Sequence, residues 1–107
     1  MEESKMEVIG KKVIVRARLA GVHAGVVVAV DWVNRVVQLE NARRLWRVYT
    51  RDSSGSVRDI AANGLKPDGD HSIGAVLKTV TIQEPDGFEL AECTDEAMES
   101  ILAWQTK

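Results

Sequence analysis

Asn41-Ala42-Arg43-Arg44-Leu45-Trp46-Arg47-Val48-Tyr49 can be read in two ways. Arg43, Arg44, Arg47 and Arg51 fit a helical stripe, whereas Val48, Tyr49 and Thr50 favour extended backbone. The β-branched and aromatic residues tip the reading toward a strand. On a strand, Arg44, Trp46 and Val48 share one face, and Arg43, Leu45, Arg47 and Tyr49 share the other. With this stretch extended, the whole chain becomes sheet-dominated.

Working toward the N-terminus, Val36 to Leu39 reads as a strand returning from a hairpin at Asp31 to Arg35, with Val26 to Val30 as its partner. Gly21 and Gly25 bracket Val22-His23-Ala24, a place for the backbone to bend or to approach another group closely. Val13-Ile14-Val15-Arg16-Ala17-Arg18-Leu19 is a strand with Arg16 and Arg18 on one side. Toward the C-terminus, Asp52 to Gly55 is turn-forming. Ser56-Val57-Arg58-Asp59 has capping-box spacing, so a short helix is expected over 57–63, ending at Gly64. A loop around Pro67-Asp68-Gly69 leads into a strand from about Ile73 to Gln83, and Pro85-Asp86-Gly87 turns it into Phe88 to Cys93. Thr94 caps a last helix over about 95–103, with Asp95 and Glu96 in the first turn and Ala97, Met98, Ile101 and Leu102 as its apolar stripe. The expected fold is α+β: a mostly antiparallel sheet or partial barrel with two short helices. It forms a single domain over 1–107, with residues 1–7 loosely ordered.

Composition removes several function classes. The 45% hydrophobic and 28% charged content is ordinary for a globular protein and suggests neither disorder nor a fibrous repeat. The first twelve residues carry Glu2, Glu3 and Glu7 and lack the basic start and apolar block of a secretory signal. Val22 to Val37 is interrupted by His23, Asp31, Asn34 and Arg35 and is too polar to span a bilayer. Cys93 is the single cysteine, so no internal disulfide forms and a reducing cytoplasm is the expected setting.

Charge is unevenly distributed. Residues 1–66 hold 12 Lys or Arg against 7 Asp or Glu, residues 67–107 hold 2 against 9, and all eight arginines lie between 16 and 58. Such a split suits an anionic ligand, or the meeting of one subunit's basic half with another's acidic half.

Catalytic and metal chemistry find little support. Cys93 precedes a helix start, where a thiol can be activated with His23 or His71 as base, but a lone cysteine ending an amphipathic strand is more often a small buried residue. Ser53, Ser54 and Ser56 with Asp70 and His71 lack the glycine-flanked elbow of a serine nucleophile. Asp68, Asp70 and His71 do not complete a calcium loop, whose last position would be Thr79. No phosphate loop of the Gly-rich Lys-Ser or Lys-Thr type is present. The expectation is a binding protein, not an enzyme, with no catalytic residue, cofactor or metal. Arginine remains: Arg43, Arg44 and Arg47 beside Trp46 offer planar forks for phosphate and a ring for stacking. The same arginines could equally be solvated or paired with acids of another subunit, and spacing does not decide. Trp32 and Trp104 read as core or interface residues.

Val13-Ile14-Val15-Arg16, Ala20-Gly21-Val22-His23-Ala24-Gly25, Asn41-Ala42-Arg43-Arg44-Leu45-Trp46, Ile60-Ala61-Ala62-Asn63-Gly64 and Cys93-Thr94-Asp95-Glu96-Ala97 through Ser100-Ile101 fall in the same order as in a family of small phage proteins. From about Val13 to Trp104 the chain resembles this family, which is identified with the first-discovered Thoeris anti-defence sponges. Those proteins bind cyclic ADP-ribose-type signals made by bacterial TIR proteins, and related members bind cyclic oligonucleotides of CBASS immunity. They form hexamers built as trimers of dimers, hold ligand at subunit interfaces and do not hydrolyse it. The resemblance implies that Arg16 and Arg44 contact phosphates, that Asn41, Arg43 and Trp46 shape the site, and that His23 lies nearby. It places the protein in the cytoplasm of an infected bacterial host, with no membrane or double-stranded DNA partner. The chain departs from the family at Arg47, Val48 and Ile73, where members tend to carry further aromatics, and in its shorter tail, which keeps only Lys107 as a basic group. The rival expectations are a small single-stranded nucleic-acid-binding module, a thiol enzyme based on Cys93, and a phage structural or assembly protein.

Overall fold

The computed structural model describes residues 8–51 and 56–105. The expectations for residues 1–7, for the 52–55 turn and for Lys107 lie outside the described residues. Six strands form one antiparallel sheet: β1 (Lys12–Ala17), β2 (Gly21–Asp31), β3 (Val36–Arg47), β4 (Ser72–Ile73), β5 (Leu77–Gln83) and β6 (Phe88–Glu92). Two helices accompany it, α1 (Val57–Asn63) and α2 (Asp95–Ala103). The order is β4-β3-β2-β1-β6, with β5 also on β3, and the sheet does not close. The α+β, sheet-dominated class holds, with both helices at the expected residues.

Local chemistry explains the elements. The β2–β3 hairpin is tied by Asp31, whose carboxylate accepts from the Val33 and Asn34 amides and from Asn34 Nδ2. These bonds, the side-chain one first, hold the Asp31 carboxyl below its ordinary range. Ser56 caps α1 by accepting from the Arg58 amide, and Gly64, at φ 84°, ends it. Thr94 Oγ1 accepts from the Ala97 amide to start α2.

The long strands hold the main surprises. β2 is one strand from Gly21 through Gly25, where both glycines serve close approach, Gly21 to the Arg44 guanidinium and Gly25 to the Glu40 carbonyl, and β3 continues through Asn41 as one strand. The pairing jumps from Ala24↔Arg43 to Val26↔Glu40, so Gly25 alone stands opposite both Asn41 and Ala42. Asn41 takes up the extra residue at φ 53°, a conformation that asparagine tolerates better than most. The expected strand from Ile73 to Gln83 is interrupted at Gly74-Ala75-Val76. There the chain spends four steps, from Ile73 to Leu77, where β3 spends three, from Leu45 to Ala42. Val48 to Thr50 lie beyond the end of β3.

Bulges bend the sheet, and the bend brings distant ends together. Trp32 at the β2–β3 tip reaches Phe88 at the start of β6, ring centroids 5.9 Å apart. The inside of the bend holds Val13, Val15, Ala17, Val27, Val37, Leu39, Ala42 and Ile82. The outside, at Ile14, Ala24 and Leu45, is covered by α1 and α2 through Ile60, Ala61, Ala97, Met98 and Ile101. Among the described residues no helix is long and apolar enough to cross a membrane.

Candidate functional site

Strand pairing places His23 directly opposite Arg44. Trp46, two residues on, shares the Arg44 face, as the alternation predicts. The Arg44 guanidinium carbon sits 3.9 Å from the Trp46 ring centroid, a cation–π stack. Trp46 is 64% exposed, a large indole left in solvent. Arg44 is half-buried, its Nε has no hydrogen-bond partner, and no carboxylate of the described residues forms an ion pair with it. His23 is half-buried too, with Nδ1 unpartnered. Burial, then the nearby Arg44 charge, lowers its pKa, so the imidazole is neutral at pH 7.

That shift has a stability consequence with a definite sign. The folded pKa lies below the ordinary 6.5, so the unfolded chain takes up the proton first as pH falls. His23 therefore favours the fold above pH 6.5 and loses that contribution as the pH drops below it toward the folded pKa. Urea midpoints should decline from about pH 7 to about pH 5, and His23→Gln should flatten that part of the profile. An unchanged slope in the variant would remove His23 as its source.

The other expected site residues lie elsewhere. Arg43 points the opposite way and is 2% exposed. Its Nε donates to the Gly74 carbonyl at 2.7 Å, and Nη1 donates to the carbonyls of Ile101 (2.8 Å), Leu102 (3.2 Å) and Trp104 (2.6 Å). Arg16 pairs with Val22, the neighbour of His23, so it projects from the sheet face opposite to Arg44. It stands 3.9 Å from Glu89, whose carboxylate also accepts from Arg58 Nε at 2.7 Å. Arg16, Arg18, Val22, Asp86 and Phe88 line an open groove of about 780 Å³ there. Asn41 is exposed in the bulge, and Arg47 is bonded to Asp70. One chain thus assembles His23, Arg44 and Trp46, and turns Arg16 and Arg43 to the opposite face of the sheet. Gly74 escaped the sequence reading: its place beside Arg44 and Trp46 was signalled only by a glycine inside an expected strand.

Two of the candidate catalytic groups, Cys93 and His71, are buried. Burial, then Glu92, pushes the Cys93 thiol up to about 12. In the folded protein at pH 8, alkylation by iodoacetamide should run about a thousand-fold slower than in the urea-unfolded chain, the ratio of thiolate fractions. Comparable rates would restore Cys93 as a nucleophile. His71 is fully buried, accepting from the Tyr49 amide at Nδ1 and facing the Lys66 carbonyl through Nε2 at 2.8 Å. Both ring nitrogens serve the core, packed 4.6 Å from the Trp104 ring. No group of three metal-ligating side chains occurs among the described residues.

What fold and site define together is an open antiparallel sheet that carries, on an exposed indole, a guanidinium with no carboxylate partner among the described residues. The chain belongs to the family described as domain of unknown function DUF6948, whose model matches residues 10–101. No curated protein and no solved structure matches it.

Proposed function

We propose that this protein is an anti-defence sponge. It binds cyclic nucleotide immune signals, cyclic ADP-ribose isomers above all and cyclic di- or trinucleotides in addition, and withholds them without breaking a bond. The observation that carries this reading is the Arg44 fork, free of any carboxylate among the described residues and stacked over the Trp46 ring. A guanidinium so placed offers parallel donors to a phosphate, and the indole offers its surface to a base or ribose. Neutral His23 adds hydrogen-bonding capacity without a competing charge. The ligands are doubly anionic and the cluster holds one fork per chain. The second fork therefore comes from another copy, in a homo-oligomer, a hexamer built as a trimer of dimers. Arg16, exposed on the opposite sheet face, is the donor such a copy would bring. The basic first part of the chain and acidic remainder supply attraction between copies. Sequestration takes place in the cytoplasm of the infected cell.

The test is direct. Purified protein is incubated with a panel of cyclic ADP-ribose isomers and cyclic di- and trinucleotides, freed of unbound ligand, then heated. Release of an intact member supports the sponge, an altered product makes the protein an enzyme, and absence of retention defeats the reading. The exposure of Trp46 also suits a single-stranded nucleic-acid module. Salt separates the two, because oligonucleotide binding falls steeply with ionic strength whereas a shielded two-phosphate site depends on it less.

A further inference from the structure

We infer that Gly21 is a positioning residue: its missing side chain is the space that the Arg44 guanidinium occupies over the Trp46 ring. Gly21 follows the turn after β1 and begins β2, paired with Ala17. A Cβ built there would fall 2.3 Å from Arg44 Nη2, 2.6 Å from Cζ and 2.8 Å from Nε. All three atoms belong to the fork, so the conflict is with the binding group itself. The atoms also sit at the end of a flexible side chain. The outcome of adding a methyl group is therefore displacement of the guanidinium, not collapse of the sheet. Cζ already stands 3.9 Å from the indole centroid, and making room for a Cβ moves the fork off the ring.

The neighbouring glycines separate this effect from general ones. Gly74 borders the same stack from the β4–β5 connection. A Cβ there would lie 3.7 Å from Arg44 Cβ and 3.8 Å from Trp46 Nε1, ordinary van der Waals contact. Gly21 has φ +85°, which strains any L side chain, but Gly87 has φ +89° with nothing within 4 Å of a built Cβ. Gly87→Ala therefore reports backbone strain alone, and Gly74→Ala reports added bulk beside the stack.

The inference deepens the sponge reading and rests on it for its consequence in binding. A fork held in one plane loses little freedom when it grips a phosphate, whereas a swinging one must be ordered first. Gly21→Ala should weaken retention of the cyclic ADP-ribose isomer held by the wild type by about tenfold or more. Gly74→Ala and Gly87→Ala should leave the guanidinium on the ring, since neither added Cβ meets the fork.

The experiment has one readout without ligand and one with it. In the free protein, NMR of the Arg44 side chain reports the stack, because protons over an indole are displaced upfield by its ring current. Gly21→Ala should lose that displacement while Gly74→Ala and Gly87→Ala keep it. Gly21→Asn repeats the test with a residue more at ease at positive φ and should show the same loss, which covers the case in which the alanine variant folds poorly. An upfield displacement that survives in both Gly21 variants, or one lost equally in Gly87→Ala, overturns the inference. Loss of the stack with undiminished ligand retention overturns the positioning role as well. If the stack is lost as expected but wild-type protein retains no panel member, the sponge reading falls while the structural role of Gly21 stands.

Discussion

Replacing Arg43 with methionine is expected to destabilise the fold by about 3 kcal/mol or more, the scale for removing one partner of a buried charged hydrogen-bond set. The side chain is 2% exposed and gives its donors to the carbonyls of Gly74, Ile101, Leu102 and Trp104. Three of those carbonyls belong to the C-terminal end of α2 and the residue after it. The last turn of that helix has no basic residue of its own. A helix C-terminus carries unsatisfied carbonyls and partial negative charge, so it needs a donor and a cation, and β3 supplies both in one group. Burial lowers the Arg43 pKa, yet a guanidinium keeps its charge at any pH the protein meets. Methionine fills similar space and takes the fork away from the carbonyls of Gly74, Leu102 and Trp104, while Ile101 keeps the Trp104 amide as a donor. Arg43→Lys should cost less, about 1–2 kcal/mol, because a point charge survives without the fork. Urea unfolding of the two variants checks the order. A methionine variant within about 1 kcal/mol of wild type would mean that the carbonyls find water instead.

The same residue shows where the sequence becomes unreadable. Alternation placed Arg43 and Arg44 on opposite faces and put Arg44 with Trp46, and this is how they stand. It could not say which face was inside. That is decided by Asn41, which takes the extra residue opposite Gly25 and shifts the pairing by one, so the faces exchange relative to Val36 to Leu39. Asparagine is a mild hint of positive φ, but nothing local marks it as a bulge. Arg43, a site candidate by composition, thereby becomes the cap of a helix some 58 residues away in sequence. The placement of Arg16 relative to Arg44 was not legible for a related reason. Its side of β1 was legible, but its face relative to Arg44 follows from cross-strand registers, Arg16↔Val22 and His23↔Arg44, that no short pattern encodes. Caps and turns were legible because they are local: Ser56, Gly64, Thr94 and Asp31 each act within a few residues of themselves.

Arg44→Ala is expected to weaken retention of the cyclic ADP-ribose isomer several-hundred-fold while costing the fold only the stack on Trp46, about 1 kcal/mol. Two charge-assisted bonds to one phosphate are worth about 3–4 kcal/mol together, and Arg44 holds no backbone group or carboxylate among the described residues whose loss would be felt by the fold. Trp46→Ala should cost less, about 1–3 kcal/mol of binding, the range for a stacked base. The double variant should fall short of the sum, because the fork's pose depends on the ring. The opposed faces make a sharper demand. If Arg16 and Arg44 both grip one ligand, they come from different copies of the chain, since one sheet cannot turn both toward a single small molecule. Arg16→Ala and Arg44→Ala proteins, each defective alone, should then regain retention when mixed, co-refolded and assembled together, because some interfaces unite an intact Arg44 from one copy with an intact Arg16 from another. A mixture no better than its parents would confine the site to the Arg44 face and make Arg16, with Glu89 and Arg58, a solvated surface network.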